Sequence, residues 1–121
     1  MTPSKNPPVP SRGEVWEILF NPSVGAEVRK TRPAVVMNIP AVGRLPLRIV
    51  VPITGWKESW ATTPWLIQIK PSRRNGLTKV SAADAFQTKS LSIQRFQTRL
   101  GELSADEVEQ IAAAICLCVG G

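Results

Sequence analysis

The 121-residue sequence predicts an α+β fold: a small, strongly bent sheet or barrel closed by a single C-terminal helix. Three observations lead there. Short runs rich in Val, Ile and Trp recur between residues 14 and 100, separated by Gly, Pro, Asn and Ser turn signals. One apolar stripe at helical spacing follows Ser104. The composition, 43% hydrophobic and 20% charged, supplies one core and one domain at this length.

Residues 1–11 (MTPSKNPPVPS) are Pro-rich and predict a flexible extended tail, with the folded domain over residues 12–121. Residues 14–20 (EVWEILF) read as the first strand. Asn21, Pro22 and Ser23 are turn chemistry, and a charged loop with Gly25 runs over 24–31. Arg32 and Pro33 open a second apolar run. Pro33 is expected at the first strand position, where a ladder donor can be spared. Residues 47–53 are Val/Ile-rich but contain Pro52, which suggests an edge or a bulge there. Residues 55–64 form a loop, residues 65–70 (WLIQIK) alternate as a strand, and 71–76 (PSRRNG) form a basic turn. A weaker strand is expected over 77–82, an irregular piece over 83–88 and a last strand over 94–100.

The terminal helix carries the strongest local signal. Ser104 and Glu107 match a capping box, and the acids of the first turn complement the helix dipole. Val108, Ile111, Ala112, Ile115 and Val119 fall at helical spacing, and Gly120 with Gly121 ends the helix. That face is wide enough to pack on the sheet and also to meet a partner subunit. Cys116 and Cys118 face different directions two residues apart, so a mutual disulfide is not expected. Both read as buried small hydrophobes in a reducing cytoplasm. No apolar run is long enough to span a membrane and the N-terminus has no secretory h-region, so no membrane association is expected.

Charge and missing residues narrow the chemistry. Fifteen Lys and Arg against nine acids give a net charge of +6, which suits a polyanionic or acidic partner and equally suits simple solubility. The chain has no His and no Tyr. Paired-imidazole ribonuclease chemistry and Ser-His or Cys-His nucleophile systems are therefore excluded. Two Cys cannot complete a four-ligand zinc site, so neither metal nor cofactor is expected. An enzyme built from this set works with Arg, Lys, Thr, Ser and carboxylates.

Four segments, in order, resemble the MazF/PemK family of toxin–antitoxin mRNA interferases. Arg12-Gly13-Glu14-Val15-Trp16 is similar to its opening R-G-[DE]-[IV]-[WY]. Asn21 to Glu27, followed by Lys30-Thr31-Arg32-Pro33-Ala34-Val35-Val36, resembles its P-x-x-G-x-E loop and R-P-[AV]-[VL]-V strand. Val51-Pro52-Ile53-Thr54 resembles the strand end with the active-site Thr. Ala83 to Thr88 and Arg99 to Ser104 resemble its D-Q-x-R-T and I-G-x-L-S segments. The sequence departs from the pattern at Ala85 and Gln87, where the family commonly has Gln and Arg. The resemblance implies an SH3-like (PemK/MazF-like) barrel with a C-terminal helix, a homodimer, and metal-independent cleavage of single-stranded RNA at short sequences. It also implies inhibition by a cognate antitoxin with an acidic flexible segment. Two alternatives stand beside it: a non-catalytic toxin of the same fold that binds a protein such as DNA gyrase, and a degenerate RNA-binding module.

The resemblance assigns catalysis to Arg32 and Thr54, and Glu27 joins them as a candidate catalytic carboxylate. Metal-free RNA cleavage needs a cation where charge builds on the phosphate, and a guanidinium meets phosphate with a two-pronged fork. Taken alone, Arg32 is an ordinary arginine before a strand, and Thr54 an ordinary β-branched residue at a strand end. Thr54 offers a hydroxyl that can donate to phosphate and accept from ribose. Glu27 is either a general base or a partner that steadies the loop cations. Arg29, Lys30, Trp56, Lys57 and Gln87 are the candidate RNA contacts. Trp56 and Trp60 either stack bases or pack inward, whereas Trp16 and Trp65, read as lying inside strands, are expected in the core. Asp84 is expected to hold local backbone or an ion pair, and Arg73 and Arg74 to be solvated.

Overall fold

The computed structural model describes residues 9–20 and 31–121. Seven strands run in the order β1 (Glu14–Leu19), β2 (Thr31–Val36), β3 (Leu47–Gly55), β4 (Leu66–Ile69), β5 (Ser81–Asp84), β6 (Lys89–Ser92) and β7 (Phe96–Glu102), followed by helix α1 (Ala105–Cys118). All pairings are antiparallel. The hydrogen-bonded path β4-β5-β3-β2-β1-β7 does not close on itself, and β6 joins it by pairing with β3. The α+β class holds, with the barrel left open between β4 and β7.

Strand alternation divides the apolar residues between two faces. On one, Val15, Val35, Val51, Ile53, Ile69 and Ala83 pack with Leu103 and with Val108 and Ile111 of α1. Each fully buried Val or Ile contributes about 1.5–3 kcal/mol. On the other, Trp16, Ile18, Ala34, Val36, Val50 and Phe96 form a second core, with the Trp16 and Phe96 rings edge to face at 5.7 Å. The capping box forms as expected: Ser104 Oγ accepts from Glu107 N, and Ser104 N donates to Glu107 Oε1.

β3 is the hinge of the architecture. Residues 47–50 pair with β6 and residues 53–55 with β5, so Val51 and Pro52 fall at the change of partner. A proline, with no N–H to give, sits where the ladder on that side is broken anyway. The turn between β4 and β5 is held by Asn75, which is buried; its Oδ1 accepts from Ser72 N and Leu77 N and its Nδ2 donates to Lys70 O. Gly76 adopts φ +69°, and a Cβ on Gly101 would lie 2.1 Å from Arg74 O, so both positions require glycine.

The structure corrects several sequence readings. Pro33 is the third residue of β2, not its first. The strand expected over 77–82 lies at Ser81–Asp84, and 83–88 continues it into a 3-10 turn, Ala85–Gln87. β6 was not anticipated; its sequence KSLS has no strong strand signal and pairing with β3 imposes the conformation. Trp65 precedes β4 and is 38% exposed against Phe86, because the strand it was assigned to starts one residue later. Cys116 is exposed and Cys118 half-buried. At 3.6 residues per turn Cys116 lies about 140° around α1 from buried Ile111, off the packed face. Pro10, within the expected tail, is buried, and its carbonyl accepts from Arg48 Nε at 2.8 Å. Arg74 is not merely solvated: its Nε lies 3.6 Å from Glu102. Among the described residues no helix is long and apolar enough to cross a membrane.

Candidate active site

The face that carries the second core also carries the chemistry. β1 and β2 set Ile18 opposite Arg32, and β2 and β3 set Ala34 opposite Pro52. Arg32 and Thr54 each lie two residues beyond the latter pair, which keeps them on its face. Thr54 in turn pairs with Ala82 of β5, and Ala82 with Gln68 of β4. Two paired rows therefore end here, Phe96–Ile18–Arg32 from one side and Gln68–Ala82–Thr54 from the other, two residues beyond the last β2–β3 pair, Ala34–Pro52. A guanidinium and a hydroxyl end the two rows; Ile18 and Ala82 lie next to them, and polar Gln68 stands at the far end of the second. Both side chains are exposed, while Ile18 and Ala34 beside Arg32 and Ala82 beside Thr54 are buried.

At this point β3 changes partner, and the segment from β5 to β6 crosses the gap beside Pro52. A cleft of about 260 Å³ opens there, lined by Phe20, Arg32, Pro52, Thr54, Asp84, Gln87 and Lys89. The 3-10 turn Ala85–Gln87 presents Gln87 to it and is capped by Asp84, whose Oδ1 accepts from Phe86 N at 3.1 Å. Thr88 Oγ1 donates to Ala85 O at 2.6 Å and closes the same turn. Asp84 thus holds local backbone at the cleft wall, as its sequence position suggests. Ala85 is buried, so of the two departures from the family pattern only Gln87 reaches the cleft.

A model of the PemK-like, MazF-like toxins of type II toxin–antitoxin systems matches residues 11–119. The chain belongs to this family. The toxin is 29% identical over 112 residues to the endoribonuclease MazF9 of Mycobacterium tuberculosis, a match covering 88% of this chain and 92% of the relative. Its fold superposes on MazF of Deinococcus radiodurans with a TM-score of 0.72 at 25% identity, covering 93% and 98% of the two chains. The D. radiodurans MazE–MazF complex gives 0.74 at 25% identity, covering 93% and 96%. A mycobacterial endoribonuclease in complex with its cognate antitoxin gives 0.70 at 18% identity, covering 93% and 96%, a likeness of fold.

Of the site residues expected from sequence, the toxin brings Arg32, Thr54 and Gln87 into one cleft. Glu27, Arg29 and Lys30 lie outside the described residues. Trp56 and Lys57 do not line this cleft. β3 ends at Gly55, and Trp56 instead borders a separate cleft of about 580 Å³ with Gln68 and with Gln110 of α1. The Trp56 and Trp60 rings meet edge to face at 6.2 Å, and Lys57 Nζ lies 5.4 Å from the Trp60 ring. Two residues of the Arg32 cleft were missed from sequence, Phe20 and Lys89. Phe20 was read as the end of a strand and Lys89 fell between predicted elements; nothing local marks either for the cleft.

Proposed function

We propose that this toxin is an endoribonuclease that cleaves single-stranded RNA at short specific sequences without a metal ion. It acts in the cytoplasm as a homodimer and is inhibited by a cognate antitoxin with an acidic flexible segment. The observation that carries this reading is that Arg32 of β2 and Thr54 of β3 line one open cleft. The family membership and the endoribonuclease named among its relatives support it.

The reaction needs no group outside the chain. The ribose 2′-oxygen forms a bond to the adjacent phosphorus, the P–O5′ bond breaks, and a 2′,3′-cyclic phosphate and a 5′-hydroxyl result. Negative charge accumulates on the non-bridging oxygens, where a fixed cation is worth most. Arg32 supplies that cation from a strand, so the guanidinium is positioned before substrate arrives. Thr54 donates its hydroxyl to a phosphate oxygen or holds the reacting ribose. Gln87 adds neutral hydrogen bonding on the opposite wall and discriminates between base edges. Glu27 is the carboxylate offered by the sequence as acceptor for the 2′-hydroxyl proton; Asp84 already accepts from the turn it caps.

The test is incubation of purified protein with long single-stranded RNA in excess EDTA, followed by mapping of the cut ends. Cleavage with cyclic-phosphate and 5′-hydroxyl products supports the reading. Activity that disappears in EDTA and returns with magnesium contradicts it.

A further inference from the structure

The geometry points to Lys89 as a second phosphate-binding residue of the cleft, its ammonium positioned by the ring of Phe20. The inference rests on the ribonuclease reading of the cleft and names how that site holds its substrate.

Arg32 and Lys89 are the two cations among the described residues that line the cleft. They arrive from opposite sides. Arg32 comes from β2, whereas Lys89 opens β6 and pairs with Val50 on the other flank of β3. A single strand of RNA carries one charge per nucleotide, so a strand whose scissile phosphate meets Arg32 brings its neighbouring phosphates to the cleft wall. Gln87 contributes no charge there and the Asp84 carboxylate caps its turn, so among the described residues Lys89 is the cation placed to meet a flanking phosphate.

The placement of Lys89 is built into the fold. Its Nζ lies 5.3 Å from the Phe20 ring centroid. Phe20 packs against the second core, and Arg95 Nη1 donates to the carbonyls of Leu19 and Phe20 at 3.1 and 3.4 Å, fixing the end of β1. A cation over a half-buried ring at the surface is held by a modest attraction, so the ammonium is oriented without being locked and can exchange the ring for a phosphate. Among the described residues Lys89 forms no ion pair.

The experiment is equilibrium binding of an oligoribonucleotide with a 2′-deoxy group at the cut site, measured over a range of salt. Each phosphate contact on a single strand contributes about 0.7 to the slope of log affinity against log salt. Lys89→Met and Lys89→Gln should each lower the slope by about 0.7 and weaken low-salt binding several-fold, with unchanged thermal midpoints. Lys89→Arg should retain the slope. Phe20→Leu should retain it too, since the charge stays, while losing affinity at low salt. Neutral variants with the wild-type slope and affinity would overturn the role of Lys89 alone. Wild-type protein that neither binds nor cleaves single-stranded RNA would overturn the ribonuclease reading, and this inference with it.

Discussion

Arg32 on β2 and Thr54 on β3 line one cleft, each two residues beyond the Ala34–Pro52 pair that ends the ladder between their strands. Neither is buried, yet each is flanked along its strand by a packed residue, Ala34 and Ile53 respectively. Strand anchoring of this kind restricts where a guanidinium and a hydroxyl can go, and it is the relationship on which the proposed chemistry depends.

Thr54 is the simpler half to test. Thr54→Val keeps the β-branched shape and the strand preference while removing the hydroxyl. Cleavage should slow by roughly 10²-fold, the scale of losing one donor to a transition state. Thr54→Ser should retain most of the rate. Single-turnover cleavage assays compare the two, and a Val variant as active as wild type would remove Thr54 from the chemistry.

The fold itself makes a prediction at two positions remote from the cleft. Gly101→Ala forces a Cβ against Arg74 O and the Asn75 backbone, so the turn between β4 and β5 must move away from β7. Unfolding in urea should show a loss above about 2 kcal/mol, in the range of backbone clashes within packed structure. Ser104→Ala removes one half of the capping box and should cost about 1 kcal/mol. Equal losses would mean that the close approach at Gly101 is not real.

Acid stability should follow Glu14. Burial alone would raise its carboxyl pKa. Hydrogen bonds from Ser11 N at 2.8 Å, Trp16 Nε1 at 3.1 Å and Arg99 Nε at 3.0 Å, together with the Arg99 charge, outweigh burial and hold it below the ordinary value. A depressed folded-state pKa adds stability above the unfolded value, and that contribution is lost as pH falls through the folded one. The stability gap between wild type and Glu14→Gln should therefore be present at neutral pH and shrink below about pH 4. Denaturant titrations at pH 7 and pH 3.5 measure it; a gap that does not change would detach Glu14 from the acid response.

The net charge of +6 and the cationic cleft suit an acidic peptide as well as RNA. If the antitoxin's acidic segment occupies this cleft, it and an uncleavable RNA should compete. Titration of labelled RNA against the peptide should show mutual loss of affinity. A ternary complex with both affinities intact would separate the two surfaces.

Much of this architecture is written locally, and the exceptions share one cause. α1 was legible because a capping box and an apolar period coincide within one segment. β1 and β3 were legible from β-branched and aromatic residues, and Pro52 announced a break in the ladder without saying which strands part there. β6 and the position of β5 were not legible, since KSLS becomes a strand by pairing with β3 and SAAD by pairing with β3 and β4. The cleft inherits the same division. Arg32 and Thr54 carry a recognisable pattern, whereas Phe20 and Lys89 join them only through a pairing between distant segments. Trp56 and Lys57 come two and three residues after Thr54, but β3 ends at Gly55, and Trp56 borders another cleft while Lys57 lies over the Trp60 ring.

The most direct measurement is single-turnover cleavage by Arg32→Ala beside its equilibrium affinity for RNA with a 2′-deoxy group at the cut site. Arg32 meets charge that is complete only in the transition state, so its loss should reduce the rate at saturating RNA roughly 10²-fold or more. Affinity should fall far less, because the remaining basic groups still neutralise phosphates. Arg32→Lys should recover part of the rate, keeping the charge without the two-pronged fork. An Arg32→Ala variant that lost affinity while cleaving at the wild-type rate at saturation would make Arg32 a phosphate anchor and contradict its catalytic role.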